Sequence, residues 1–410
     1  MTARRVAVTG IGVVSAFGDT FGEFWTGIAS GTSGIRPRAL TPPDALRFPN
    51  AAEVAHFDPH RHFEEKQIDY LDRFAQFAMV AAREAVKVAG IKIGGELASR
   101  TAIVTGSSAG GQATKDENFY NLYALKHTRF SPLIIPRVMG NAGASMISSE
   151  FGIGGPVYTV STACSSANHA IGQAFWMVRS GVVDLALAGG SEAPFSMGFL
   201  KSWEALRVVS PDTCRPFSRD RRGLILGEGA GMLVLEPLEA ARARGAPVWG
   251  EIAGFGMSSD GHHLTQPLAS GAAAAMRAAL TDGSIAPEAI GYINAHGTGT
   301  PSNDATECQA IRAVFGRHAE KLLVSSTKSM HGHALGAAGA LEAAATLAAL
   351  RGGLIPPTAN FTEPDPACDL DVVPNHSRPA EIEWALSNSF AFGGLNAVLA
   401  FHGTSAKITF

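Results

Sequence analysis

Cysteine is scarce in this chain: there are four in 410 residues, at positions 164, 214, 308 and 368, with no CxxC pair among them. So few cysteines, so widely spaced, exclude a disulfide framework and fit a reducing, cytoplasmic setting. Charge is thin as well. Charged residues make up 17% of the chain and the net charge is −3, which argues against nucleic acid or an anionic membrane as a partner. No window approaches the ~18 uninterrupted apolar residues of a membrane span. The start, Met1 to Val8, is basic and runs straight into a strand-like segment, without the pattern of a signal peptide. Low-complexity sequence is also missing; the proline-rich stretch 354–366 reads as an ordered extended loop, because hydrophobic segments flank it.

What is abundant is glycine, 46 residues, which implies many tight turns and close backbone approaches. The chain is 46% hydrophobic and can bury a large core. Its length suits two large domains or one fused pair. Short β-branched runs alternate with alanine-rich helical stretches, the pattern of an α/β protein. Strands are predicted over 5–9, 101–105, 157–161, 184–188, 291–295, 322–326 and 398–402, and helices over 73–89, 165–180, 271–281 and 336–350. In 165–180, Ala167, Ile171, Ala174, Phe175 and Val178 keep helical spacing. A faint repeat organises the whole. Val8-Thr-Gly-Ile-Gly-Val-Val-Ser15 resembles Ile252-Ala-Gly-Phe-Gly-Met-Ser-Ser259, and Val160-Ser-Thr before Cys164 resembles Val324-Ser-Ser-Thr before Lys328. The matches run in the same order, so the chain reads as two duplicated halves, 1–250 and 251–410. The seam between them is a natural ligand site.

Four segments carry chemistry. In Val160-Ser-Thr-Ala-Cys-Ser-Ser-Ala-Asn-His169 a strand ends and Cys164 stands where a helix begins. Free N–H groups and partial positive charge at a helix start favour a thiolate, and Ala163, Ser165 and Ser166 leave room for a bulky thioester. An isolated cysteine would more simply be a small core hydrophobe; the strand–Cys–small–small–helix context points instead to a nucleophile. In Ile293-Asn-Ala-His-Gly-Thr-Gly-Thr-Pro301 a strand delivers His296 into a loop whose Thr298 and Thr300 can hydrogen-bond an amide-rich arm; a plain loop histidine is the alternative. Ser325-Ser-Thr-Lys-Ser-Met-His-Gly-His333 leads into a glycine- and alanine-rich helix that must pack very closely. Lys328 there needs a partner if buried, and Glu342 is the obvious one; His333 is either functional or a core histidine, and His331 is left unassigned. In Ser387-Asn-Ser-Phe-Ala-Phe-Gly-Gly-Leu-Asn396, Phe390 and Phe392 straddle Ala391 in a predicted loop. Such a loop can aim a backbone N–H at an oxyanion while a ring gates a pocket.

In order along the chain, TACSS with Cys164, NAHGTGTP with His296, KSMHGHALGAAGALE with Lys328 and His333, and NSFAFGG resemble the motifs of the β-ketoacyl-carrier-protein synthase II family. KSWEALRVVSPDTCRPFS, KSMHGH and PPTANFTEPDPACDLDV look closer to its nodulation protein E branch. The resemblance covers nearly the whole chain. It implies a duplicated thiolase fold of five αβαβα layers, normally a homodimer, working by a ping-pong reaction without a separate cofactor. Cys164 takes an acyl chain from the phosphopantetheine of acyl carrier protein; malonyl-carrier protein then loses CO2 and its carbanion attacks the thioester. His296 and His333 would assist decarboxylation, Lys328 would hold a charge network with Glu342, and the N–H groups of Cys164 and Phe392 would form the oxyanion hole, with Phe392 as gate. The resemblance further puts Asp304 and Glu307 by an ordered water network near His296. Thr265, Thr298, Thr300 and Phe390 would lie along the pantetheine and acyl path, and Asn294, Glu342, Ser387 and Asn388 would fall at a monovalent-cation position. Two departures stand out. Lys115 falls where relatives place a bulky apolar lining of the acyl pocket, implying a shorter pocket or a polar or unsaturated chain. The basic cluster for carrier protein is thin, with Lys66 kept but Asp69 and Tyr70 following.

Other classes fit less well. Gly106-Ser-Ser-Ala-Gly110 matches the G-x-S-x-G of serine hydrolases, but the region after it reads as polar rather than a clear helix. Gly10-Ile-Gly-Val-Val-Ser lacks the third glycine of a dinucleotide fingerprint. A non-catalytic chain-length subunit would generally lack Cys164, although the active member of such a heterodimer would keep it. Degradative thiolases use a Cys–His–Cys set, and synthase III enzymes carry Asn in place of His333.

Overall fold

The computed structural model describes residues 3–41 and 46–404; Met1 and Thr2 of the basic start and the last residues of the second half, 405–410, lie outside the described residues. Ten strands form the main ladder: β1 (Val6–Val14), β2 (Thr101–Gly106), β3 (Val157–Val160), β4 (Leu185–Glu192), β5 (Gly229–Pro237), β6 (Gly250–Ser259), β7 (Ile290–Asn294), β8 (Leu323–Ser325), β9 (Trp384–Ala391) and β10 (Leu395–His402). Their order is β8-β7-β9-β10-β6-β1-β5-β4-β2-β3. Read outward from the centre, each half runs first, fifth, fourth, second, third. In both halves the second strand pairs parallel to the third and fourth, and the fifth pairs antiparallel to the fourth and first. The repeat seen in the sequence is thus a repeat of topology. The halves meet edge to edge, Val6–Val8 of β1 pairing antiparallel with Gly250–Ile252 of β6.

The helices of the described residues that build the layers and the site are α1 (Arg73–Ala89), α2 (Gln112–Tyr123), α3 (Ala142–Phe151), α4 (Ser166–Arg179), α5 (Met197–Leu206), α6 (Ala269–Gly283), α7 (Pro301–Phe315) and α8 (Ala338–Gly352). Helices α1 and α3 lie outside the first half, α6 and α7 outside the second, and α4 and α8 are enclosed between the two halves. The five αβαβα layers of the thiolase fold result. Three apolar cores separate them, the central one built from α4, α8 and the inner faces of both half-sheets.

Close packing explains the glycine and alanine. A Cβ at Gly10 or Gly12 would fall 2.0 Å from the Ala85 carbonyl oxygen or 1.9 Å from that of Ala81, so α1 rests directly on β1. β1 runs straight through both glycines, where a dinucleotide site would need a turn. At Gly339 a Cβ would lie 2.4 Å from Asn168 Oδ1, which brings α8 against α4. Along α8, everything from Ala338 to Arg351 is buried.

The predicted strands and helices are all present, some of them longer. Sequence patterning missed β5, β6 and β9, whose glycine, alanine and serine mask a β pattern. It also missed α3, α5, α7 and α2; in the last case a helix does follow Gly106–Gly110, its polar, aromatic composition reflecting an exposed position. The predicted loop 387–396 is mostly strand; only Phe392–Gly394 turn, because Gly393 (φ +83°) and Gly394 (φ +69°) take left-handed conformations.

Candidate active site

Three chain reversals at the seam between the halves bring the site together. β3 ends at Val160, and Ala163 then takes φ +50°, an unfavourable conformation for a residue with a Cβ. That bend sets Cys164 in a short helical turn leading into α4. β7 delivers His296 into a loop that needs left-handed Gly297 and Gly299 (φ +34° and +78°). After β8, a helix of one turn, Lys328–His331, ends at Gly332 (φ +67°) and His333 follows. Cys164, His296 and His333 line one cleft with about 670 Å³ of open space, together with Phe390, Phe392, Thr265, Thr298 and Thr300. The two imidazoles stand 5.4 Å apart, nearly perpendicular at 84°.

Each loop is tied down from behind. Glu307 on α7 accepts the main-chain N–H groups of His296 (2.9 Å) and Gly297 (2.8 Å) and the Asn388 amide (3.1 Å). Asp304 accepts those of Gly299 (3.2 Å) and Phe217 (2.8 Å). Burial pushes both carboxyls up from their ordinary range. The His333 N–H donates to the Ile225 carbonyl at 2.7 Å. The Leu335 N–H donates to His333 Nδ1 at 3.2 Å, which leaves the ring proton on Nε2. Thr298 and Thr300 share a 2.9 Å hydroxyl contact along the cleft wall, while the exposed Thr265 sits at its mouth.

Lys328 supplies the electrostatics. It is wholly buried and pairs with the equally buried Glu342. Burial, and then the Lys328 charge, hold His296 and His333 well below the usual histidine range, so both imidazoles are neutral near pH 7. His331 is likewise held down to about 3; its Nε2 meets the Thr327 hydroxyl at 3.0 Å and it takes no place in the cleft. The expectation of a thiolate at the helix start is corrected. Burial pushes the Cys164 thiol up to about 12, and the Lys328 charge and the Phe392 N–H pull down without overcoming it. Ser166 Oγ donates to the Ala163 carbonyl and accepts the Thr162 N–H, which fixes the bend beside the thiol. The resting nucleophile is therefore a neutral thiol. Alkylation of Cys164 by iodoacetamide should climb about tenfold per pH unit from pH 7 to 10, with no plateau. A plateau below pH 8, read by mass spectrometry, would contradict the raised thiol.

The turn Phe392–Gly394 closes the site. The Phe392 N–H lies by the Cys164 thiol and pulls its pKa down, so a donor stands where it can serve an oxyanion. The turn is held where Gly393 N–H donates to Leu264 O (2.7 Å) and Asp260 N–H to Gly394 O (2.9 Å). The Phe392 ring stacks on Trp203 of α5, at 6.1 Å and 23°.

Behind the histidines, four buried side-chain oxygens lack a hydrogen-bond partner: Asn294 Oδ1, Glu342 Oε2, Ser387 Oγ and Asn388 Oδ1. Asn294 and Ser387 are opposite each other in the β7–β9 ladder, and the Asn294 amide donates to the Glu342 carbonyl at 3.3 Å. Four hard oxygens, whose one formal charge Lys328 already offsets, suit a monovalent rather than a divalent cation.

Lys115 is placed elsewhere. It lies on α2, its ammonium 3.5 Å from the Ala109 carbonyl, and it is not among the residues lining the cleft. Ser108 is no hydrolase nucleophile, since its hydroxyl donates to buried Glu192 at 2.5 Å. Sequence reasoning missed Trp203 and Glu192. The only signal for Glu192 was an acid ending the apolar run 185–192, Leu-Ala-Leu-Ala-Gly-Gly-Ser-Glu.

The chain matches two family domains, the Beta-ketoacyl synthase N-terminal domain over residues 3–241 and its C-terminal domain over 249–362. It is 46% identical over 398 residues to nodulation protein E of Rhizobium sp. (strain N33), covering 97% of this chain and 99% of that protein. It is 42% identical over 409 residues to 3-oxoacyl-[acyl-carrier-protein] synthase 2 of Coxiella burnetii (strain RSA 493 / Nine Mile phase I), covering 97% and 98% of the two. Among solved structures, the ishigamide ketosynthase/chain length factor superposes with TM-score 0.94 at 38% identity, covering 98% of this chain and all (100%) of that one. Among the described residues, no helix is long and apolar enough to cross a membrane.

Proposed function

Because the chain belongs to the β-ketoacyl synthase family, we propose that it extends an acyl chain by two carbons, in fatty acid, lipid-signal or polyketide-type synthesis. It does so by decarboxylative condensation of a Cys164 thioester with malonyl-carrier protein. The observation that carries this reading is the convergence of one thiol and two neutral imidazoles on a single cleft. Substrates arrive on the phosphopantetheine of acyl carrier protein, past Thr265, Thr298 and Thr300. In the first half-reaction Cys164 Sγ bonds to the acyl carbon, the pantetheine sulfur leaves, and the thiol proton ends on that sulfur. The N–H groups of Cys164 and Phe392 steady the tetrahedral oxyanion.

Malonyl-carrier protein then binds. Its carboxylate leaves as CO2 while His333 Nε2–H, with His296 beside it, hydrogen-bonds the thioester oxygen that becomes an enolate. Neutral imidazoles suit this step: burial, and then the Lys328 charge, keep each ring from taking up a second proton. The enolate carbon attacks the Cys164 thioester, the sulfur leaves, and a proton from solvent restores the thiol. Asn294, Glu342, Ser387 and Asn388 would hold a monovalent cation, which supplies fixed positive charge behind the histidines. We place the halves at 1–250 and 251–410 and the enzyme in the cytoplasm, consistent with its four free, buried cysteines.

The decisive test is His333→Ala. It should still accept an acyl group on Cys164, read by intact mass, but lose malonyl decarboxylation by roughly 10²–10⁴-fold. Retained condensation would refute the role.

Carrier protein is one partner and a second subunit the other. Phe119, Tyr120 and Tyr123 on α2 are 56%, 61% and 69% exposed, a large apolar surface for a lone chain. In solution the mass should equal two copies, and co-expression with a chain-length-factor-like neighbour would instead yield a heterodimer if this chain is the active member of such a pair. A stable monomer of the chain expressed alone, unchanged by co-expression, would contradict both assemblies.

A further inference from the structure

We propose that Glu192 is a positioning residue of this site: its carboxylate clamps the turn after His333 to the turn after β2, and so keeps the imidazole presenting Nε2–H to the cleft. Glu192 ends β4 and is fully buried. Its Oε2 accepts the N–H of Gly336 (3.0 Å) and both the N–H (2.7 Å) and the hydroxyl (2.5 Å) of Ser108. Oε1 accepts the Ser107 hydroxyl (3.1 Å) and the Ala109 N–H (3.2 Å). All five donors are neutral. A buried carboxylate with no cation beside it is costly, and a leucine would extend the apolar run of β4 more cheaply. The arrangement therefore exists for what it holds.

What it holds is the backbone beside His333. Leu335 sits at φ +46°, a strained conformation for a branched residue that only its surroundings can enforce. Its N–H is the one that occupies His333 Nδ1. The next residue, Gly336, is the one Glu192 grips, and a Cβ there would come 2.5 Å from the Ser108 nitrogen and 2.6 Å from Glu192 Oε2. Release of Gly336 lets Leu335 relax and its N–H swing away from Nδ1, and the ring proton is then no longer confined to Nε2. The same carboxylate acts on Cys164, raising the thiol where Lys328 lowers it. The serine-rich turn Gly106–Gly110, a hydrolase motif by sequence, thereby gains a role as the donor side of this clamp.

The proposal rests on His333 serving the enolate, so its test needs a readout apart from activity. Ring ¹⁵N NMR of histidine-labelled protein, with His333 assigned through His333→Asn, should show a single Nε2–H tautomer. Glu192→Gln keeps the shape but turns an amide toward the Gly336 and Ser108 donors; it should give mixed tautomers. In that variant the kcat of malonyl-thioester decarboxylation should fall about tenfold with KM within about threefold, while Cys164 acylation stays within about threefold. A single unchanged tautomer, or equal loss of both half-reactions, would overturn the clamp. Mixed tautomers with full decarboxylation would uphold the clamp and sink the role given to His333. Should Glu192→Gln fail to fold, Ser108→Ala removes one donor from the same oxygen: a smaller, about threefold, selective loss of decarboxylation supports the proposal, and no selective loss overturns it.

Discussion

Cys164→Ala is expected to end condensation, with at least a ~10³-fold loss, and to leave no acyl adduct on the protein after incubation with acyl-carrier proteins. The size of the effect follows from where the other thiols lie. Cys214 is buried under the Thr298 carbonyl, to which it donates at 3.4 Å, and Cys308 and Cys368 face each other in the outer core of the second half. None lines the cleft, so none can take over. The two imidazoles keep their supports in this variant. Malonyl decarboxylation should therefore survive while acyl transfer disappears, the mirror image of His333→Ala. Intact-mass measurement beside CO2 release separates the two half-reactions. An acyl adduct on the Cys164→Ala chain would remove the basis of the mechanism.

Lys328→Ala should do two things at once. It strips the partner from a carboxylate that has no access to water, which destabilises a fold by about 3–5 kcal/mol. Glu342 is already pushed up to about 7 by burial, with Lys328 holding it back, so in the variant it will fold protonated. The loss in Tm should therefore be smaller in acid than in base, because at higher pH folding must work against ionisation of that group. The second effect is catalytic. Without the buried cation His296 and His333 become easier to protonate, and Cys164 harder to ionise. Condensation should fall steeply even at temperatures where the protein stays folded, and iodoacetamide should label Cys164 more slowly at every pH. Faster labelling in Lys328→Ala would show that the cation does not act on the thiol.

Most of the fold was legible because the sequence repeats its own grammar: β1 and β6 share a glycine-spaced signature, and the strands before Cys164 and Lys328 end alike. The loops bearing Cys164, His296 and His333 were legible for a local reason. Each is a strand end followed by small residues, with glycine in the two histidine loops, which is what a sharp reversal demands. Features set across the seam were less visible. Nothing around Cys164 in sequence shows that burial will outweigh a helix start, since the apolar surroundings come from residues 39 to 228 positions away, such as Trp203, Leu224 and Phe392. Glu192 was silent because its role depends on Ser108 and Gly336, which only the folded chain brings together. Lys115 was aligned with an acyl-pocket wall of relatives; on α2 its ammonium turns back to Ala109, which no local pattern foretells.

The edge pairing of β1 with β6 has a kinetic corollary. A main-chain seam stitches the two halves directly where they adjoin, so they cannot open as jaws to admit a long thioester. Passage of substrate falls to small elements at the rim: Phe392–Gly394, hinged on two glycines, and the stretch around Leu264 that latches it. The turnover rate of such an enzyme should respond to changes in that latch far more than to changes that stiffen the scaffold.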